Sequence, residues 1–174
     1  MADTNIRPAK KFAFDVGWVF ISSVIVLMLH FFQKPVMARY LGPDGLGLFS
    51  MAFMIIGIVE LIAGFGIDGA LVKYVAEHGG YERANSLASS AFITMVVFGI
   101  ITSIALLFSS NFFADIFDMP YLSILLKIYA IVLPFSLIYS IILSFFRGLR
   151  KMKYFAFLRI LDASLALAFI LAFL

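Results

Sequence analysis

Cysteine is absent from this chain, which excludes disulfides, thiolate metal ligands and a cysteine nucleophile together. Charge is scarce as well: Asp, Glu, Lys and Arg make up 13% of 174 residues, about half the share usual in soluble domains. Composition therefore excludes an ordinary soluble fold. The two histidines, His30 and His78, stand at no metal-ligand spacing, so no metal site is expected. No acid–base pair or activated nucleophile is visible, which leaves an enzyme the least favoured class and gives no reason to expect a cofactor. A net charge of +3 does not argue for nucleic acid, because the basic residues flank apolar runs.

Hydrophobic residues fill the space that charge leaves, at 64% of the chain, with a mean hydropathy of +1.09. About 20 apolar residues suffice for a helix to cross a bilayer. Four runs reach that length, and a fifth continues to Leu174. The pattern predicts an all-α fold, a polytopic transmembrane helix bundle with helices at about 12–40, 46–76, 85–109, 121–146 and 154–174 in a single membrane domain, 1–174. Arg7, Lys10 and Lys11 before the first run resemble a signal peptide, but Phe12 to Met37 is too long for a signal core and has no small-residue cleavage site. The last run has no polar cap, so the chain reads as the N-terminal part of something longer, about four complete helices and a truncated fifth.

Lys and Arg accumulate on the cytoplasmic side of membrane helices. Arg7, Lys10, Lys11, Lys73, Arg83, Arg147, Arg150, Lys151 and Lys153 all fall on one side of a four-pass zigzag, with mainly Lys34, Arg39 and Lys127 opposite. The expectation is a multi-pass protein of the cytoplasmic membrane with its N-terminus in the cytoplasm.

Glu60 is the residue hardest to accommodate. It lies near the middle of the run Leu46 to Val75, where an ionised group costs roughly 2.5 kcal/mol or more and ordinarily faces a cavity or a partner. Ser50, Gly57, Glu60, Gly64 and Asp68 follow at spacings of seven, three, four and four. On a helix they share an arc of roughly 80°. Glu60 then has two readings, a buried ion pair that fixes helix packing, or a functional group that is either a cation or proton site or a polar contact in a transport cavity. Asp68 either pairs with Lys73 or caps backbone opened at Gly64, Gly66 and Gly69, and it joins Glu60 as an ion-coupling candidate. Gly57 and Gly64 suit close helix approach or a hinge, and Pro134 bends the fourth helix at its centre. Ser136, Ser140 and Ser144, at fourfold spacing, read as packing and interhelical hydrogen-bonding groups rather than nucleophiles.

On the first helix Ser23, His30, Gln33, Lys34 and Met37 share a face of about 100°. His30, Gln33, Lys34 and Arg39 are the candidates to line a substrate pathway. The plainer readings are polar packing for His30, snorkelling for Lys34 and interfacial anchoring for Arg39. Lys127 reads as a snorkelling residue, and the basic turn around Arg150 as a topology signal in contact with lipid headgroups.

Four stretches carry a family resemblance. Ala38-Arg39-Tyr40-Leu41-Gly42-Pro43-Asp44-Gly45-Leu46-Gly47-Leu48-Phe49 resembles the first extracytoplasmic turn of polysaccharide biosynthesis flippases. Phe65-Gly66-Ile67-Asp68-Gly69-Ala70-Leu71-Val72-Lys73-Tyr74-Val75-Ala76-Glu77 is similar to the end of their second helix. Leu133-Pro134-Phe135 and the stretch from Phe146-Arg147-Gly148 through Lys153-Tyr154 resemble their fourth helix and the turn after it. The resemblance implies the multidrug, oligosaccharidyl-lipid and polysaccharide exporter superfamily, whose members have about 12 to 14 helices in two lobes. This chain would supply part of the N-terminal lobe.

The implied activity is movement of a lipid-linked oligosaccharide or polysaccharide precursor across the membrane by alternating access, coupled to protons or Na⁺ in some members. Lys34 and Arg39 would meet pyrophosphate or acidic sugar, and Glu60 would couple the ion. The expected partners are membrane lipid, the lipid-linked substrate, H⁺ or Na⁺, and glycosyltransferases or a glycan polymerase, with no nucleic acid. A multidrug/cation antiporter of the same superfamily and a non-transporting membrane scaffold are the alternatives.

Overall fold

The computed structural model describes residues 6–77 and 81–173. They form five helices, α1 (Ile6–Gly64), α2 (Ile67–Glu77), α3 (Tyr81–Ile116), α4 (Pro120–Gly148) and α5 (Met152–Phe173), with no strand among the described residues. Four stretches are long and apolar enough to cross a membrane: Ala13–Gly64, Ser86–Ile116, Pro120–Gly148 and Met152–Ala172. The chain is a multi-pass membrane protein with a helical bundle fold. His78 lies outside the described residues.

At 59 residues α1 is far longer than one crossing requires, and Gly42 divides it. Its backbone, at φ 69° and ψ −179°, occupies a region that only glycine enters readily. Pro43 follows with its fixed φ suited to a first helical turn. The division falls between the expected helices 12–40 and 46–76.

The expected helix 46–76 is interrupted after Gly64. Phe65 at φ 44° and Gly66 at φ 71° turn the chain left-handed, and the helical pattern resumes when the Ala70 amide donates to the Gly66 carbonyl at 3.1 Å. The glycines at 64, 66 and 69 weaken helix propensity here more than the apolar pattern suggests.

The gap between the expected helices 85–109 and 121–146 is shorter in the structure, because α3 continues to Ile116. Its end is a left-handed cap: Asp118 has φ 53°, and the Met119 amide donates to the Ala114 carbonyl at 2.9 Å. Asp tolerates that conformation better than most side chains, so the polar residues here mark the cap of a helix rather than a long loop.

The described residues fall into two compact units, one made of the chain up to Gly42 together with Leu149 onward, the other of Pro43–Gly148. In the second, α3 and α4 pack closely around Pro134. Proline leaves the carbonyl four residues earlier without its helical donor. That carbonyl belongs to Ala130, and Ser103 of α3 donates its hydroxyl to it. A turn before Ser103, Gly99 meets the kink itself, since a Cβ there would lie 3.2 Å from the Pro134 Cα. Gly148 allows α2 to approach α4: a Cβ at this position would lie 2.8 Å from the Val75 Cβ. No neighbour lies within 4 Å of a Cβ built at Gly57.

Candidate functional site

In the unit Pro43–Gly148, α4 presents Tyr129, Ser136, Ser140 and Ser144 at spacings of seven, four and four, one face of a helix. This face meets both acidic candidates. Tyr129 donates its phenol to Glu60 Oε1, and the Ser136 hydroxyl lies 2.6 Å from the same oxygen. Ser136 also lies 2.9 Å from the Leu133 carbonyl, so its one proton is shared between two acceptors. Further along, Ser140 Oγ is 2.8 Å from Asp68 Oδ2, and Ser144 Oγ is 3.3 Å from Asp68 Oδ1. Both carboxylates are half-buried, and Ser144 is buried.

The break after Gly64 separates Glu60 on α1 from Asp68 at the start of α2. A single continuous helical face therefore does not explain why both reach α4. Four hydroxyls on α4 hold the acidic groups instead, and Phe65 stacks obliquely on Phe98 of α3 with ring centroids 5.5 Å apart. The pairing of Asp68 with Lys73 is not formed. Lys73 lies 4.0 Å from Glu77, one helical turn on, with both side chains exposed.

Neither Glu60 nor Asp68 has a cation within ion-pair distance among the described residues. Hydroxyl donors stabilise the charged form of a carboxylate without neutralising it. No group of three or more His, Cys, Asp and Glu side chains is gathered for metal binding among the described residues.

The pathway candidates belong to the other unit. His30 Nδ1 lies 2.9 Å from Gln33 Oε1, and Gln33 Nε2 donates to the Ala163 carbonyl of α5 at 3.5 Å. Gln33 is buried, whereas His30, Lys34 and Arg39 are exposed. Lys127 donates to Asn111 Oδ1 at 2.8 Å, tying α4 to α3.

Two polar residues on these helices escaped the sequence reading. Tyr129 stands seven residues before Ser136, a spacing that extends the serine face by two turns. Arg159 sits well inside the apolar run of α5, where its Nη1 lies 3.4 Å from Ser23 Oγ and its guanidinium 5.6 Å from the centre of the Phe155 ring. An arginine within an apolar run is itself the signal that was available.

A family profile described as polysaccharide biosynthesis protein matches residues 12–174. Among curated proteins, the succinoglycan biosynthesis transport protein of Rhizobium meliloti (strain 1021) is 26% identical over 129 residues, covering 74% of this chain and 25% of that protein. Stage V sporulation protein B of Bacillus subtilis (strain 168) is 29% identical over 150 residues, covering 81% of this chain and 28% of the relative. The chain spans about a quarter of the length of these relatives. No solved structure matches it at a significant level.

Proposed function

Because the chain belongs to the polysaccharide biosynthesis protein family, we propose that it forms part of an exporter that carries a lipid-linked saccharide precursor across the cytoplasmic membrane by alternating access. The saccharide headgroup crosses in a polar cavity while the lipid tail stays in the bilayer. The N-terminus lies in the cytoplasm, in keeping with the distribution of Lys and Arg. Lys34, Arg39, His30 and Gln33 meet the headgroup, and Glu60 with Asp68 couples its movement to a proton or Na⁺.

One observation carries this reading: two half-buried carboxylates in the apolar part of the chain are solvated by α4 hydroxyls and by no cation among the described residues. A carboxylate serving only to fix helix packing would be expected to have an opposite charge beside it. When Glu60 binds a proton or a cation, its charge is withdrawn from Tyr129 and Ser136, and the tie between α1 and α4 weakens. Asp68 acts likewise on the tie between α2 and α4. Cation binding is thereby linked to helix separation, which alternating access requires.

The test is ion dependence of transport in cells carrying the gene for this chain. Translocation of lipid-linked saccharide should fall about tenfold or more when ionophores collapse the proton or Na⁺ gradient, a factor of ten corresponding to about 1.4 kcal/mol. Glu60→Gln, at equal protein level, should transport slowly and show no further fall. Full ion dependence in Glu60→Gln would remove the carboxylate from the coupling role.

A further inference from the structure

Arg159 lies seven residues into α5, about 10 Å along a span that begins at Met152. Its neighbours on the same helical face are Phe155, Ala156 and Ala163, all buried, so the guanidinium belongs to the packed side of α5. Across the seam stands the first arm of α1, with Ser23 beside Arg159 and Gln33 beside the Ala163 carbonyl.

A guanidinium has five N–H donors arranged in a planar fork. Arg159 places one of them near a hydroxyl, at the long distance of 3.4 Å, and its charge also faces the Phe155 ring. No carboxylate lies within ion-pair distance of it among the described residues, Asp162 included, although Asp162 follows three residues later on the same helix. A cation in an apolar span is expensive unless something pairs with it. Lys153, nearer the start of α5, differs: its ammonium lies over the rings of Phe14 and Trp18, at 5.3 and 5.7 Å, in the aromatic and basic surroundings of a membrane interface. Arg159 lies beyond that belt and is not placed to act as an interfacial anchor.

The geometry points to Arg159 as an anion-binding residue that takes the phosphate of an amphiphile, with Ser23 and Gln33 as neutral polar neighbours along the same seam. Phosphate matches the guanidinium fork by accepting two parallel hydrogen bonds, and an amphiphile brings it to this depth while its tail stays in lipid. The phosphate belongs either to a polyprenyl-linked substrate or to a bulk anionic lipid. The first source rests on the transport reading above; the anion site itself does not.

The experiment is equilibrium binding of farnesyl diphosphate, a short prenyl diphosphate, to the protein in phosphatidylcholine nanodiscs, with farnesol and inorganic pyrophosphate as controls. Wild type should bind farnesyl diphosphate at least tenfold more tightly than either control. Arg159→Gln should lose about tenfold or more of that affinity, and Arg159→Lys, which keeps the charge but not the fork, should lose less. Equal affinity in wild type, Arg159→Gln and Arg159→Lys would overturn the site. If Arg159→Gln fails to assemble, Arg159→Lys decides alone, and wild-type affinity in a monodisperse Arg159→Lys protein overturns it.

Replacing a fifth of the phosphatidylcholine by phosphatidylglycerol separates the two sources. Competition that depends on Arg159 assigns the site to bulk lipid headgroups, and undiminished binding assigns it to the prenyl diphosphate. Either result supports an anion site at Arg159. Because the assay reads binding without transport, Arg159-dependent binding in a protein that moves no saccharide would sink the transport reading and leave this site in place.

Discussion

Glu60 and Asp68 in one compact unit and Arg159 in the other are charges of opposite sign held by the same kind of partner, a neutral hydroxyl. They differ in how fully they are satisfied. The two carboxylates share four hydroxyls, three of them at 2.6 to 3.3 Å, while Arg159 has one at 3.4 Å. The acidic side is therefore the better hydrogen-bonded of the two, with two hydroxyls on each carboxylate. The basic side is incomplete as it stands, which is why it is assigned an anion. The Lys73–Glu77 pair makes the contrast plainer, since that exposed i,i+4 contact is of the kind worth a few tenths of a kcal/mol.

The comparison breaks most severely at Gly148. A leucine there drives its Cβ into Val75, which stands 2.8 Å away, and separates α2 from α4. We expect a loss of about 3 kcal/mol by the usual cost of overpacking, read as a lower unfolding midpoint in detergent, with little change on the α1–α5 side. Glu60→Ala should cost about 2 kcal/mol, because it strands the Tyr129 phenol in a half-buried site and leaves Ser136 only the Leu133 carbonyl. Glu60→Gln keeps an acceptor oxygen and should recover at least half of that in the same unfolding assay.

Tyr129→Phe removes one donor and leaves Ser136 on the same oxygen, for an expected loss of about 1 kcal/mol. A wild-type unfolding midpoint in Tyr129→Phe would show that the phenol contributes nothing to holding Glu60. Ser23→Ala should be the mildest, within about 0.5 kcal/mol of wild type, since its contact with Arg159 is long. A larger drop than that of Tyr129→Phe would contradict the ranking of the two sides.

Much of this arrangement was legible in the sequence, for reasons of scale. Apolar runs of more than 20 residues leave little choice but membrane helices, and a carboxylate inside one of them is conspicuous. The fourfold spacing of Ser136, Ser140 and Ser144 also showed a polar face. That this face meets Glu60 and Asp68 was not legible, because periodicity says which side of a helix is polar and nothing about which helix it packs on. The break at Phe65 and Gly66 was obscured in a similar way: hydrophobicity runs unbroken through it, and only backbone conformation reveals the left-handed turn. Asn111 and Asp115 misled in the opposite direction, as polar residues in the final turns of α3 that lie outside the expected helix 85–109, with Asp118 in the cap that follows. Arg159 was overlooked because it lies in an otherwise apolar run that continues to Leu174, and a single charge there does little to the hydropathy of the whole.

The most direct measurement is complementation of a flippase-deficient strain by the gene encoding this chain, comparing wild type with Glu60→Gln and Glu60→Ala at equal protein level and reading lipid-linked saccharide on each membrane face. Rescue by wild type, with precursor retained on the cytoplasmic face in both variants, is the predicted result. Rescue by all three would contradict a transport role for Glu60 and return its hydroxyl-bound carboxylate to helix packing alone.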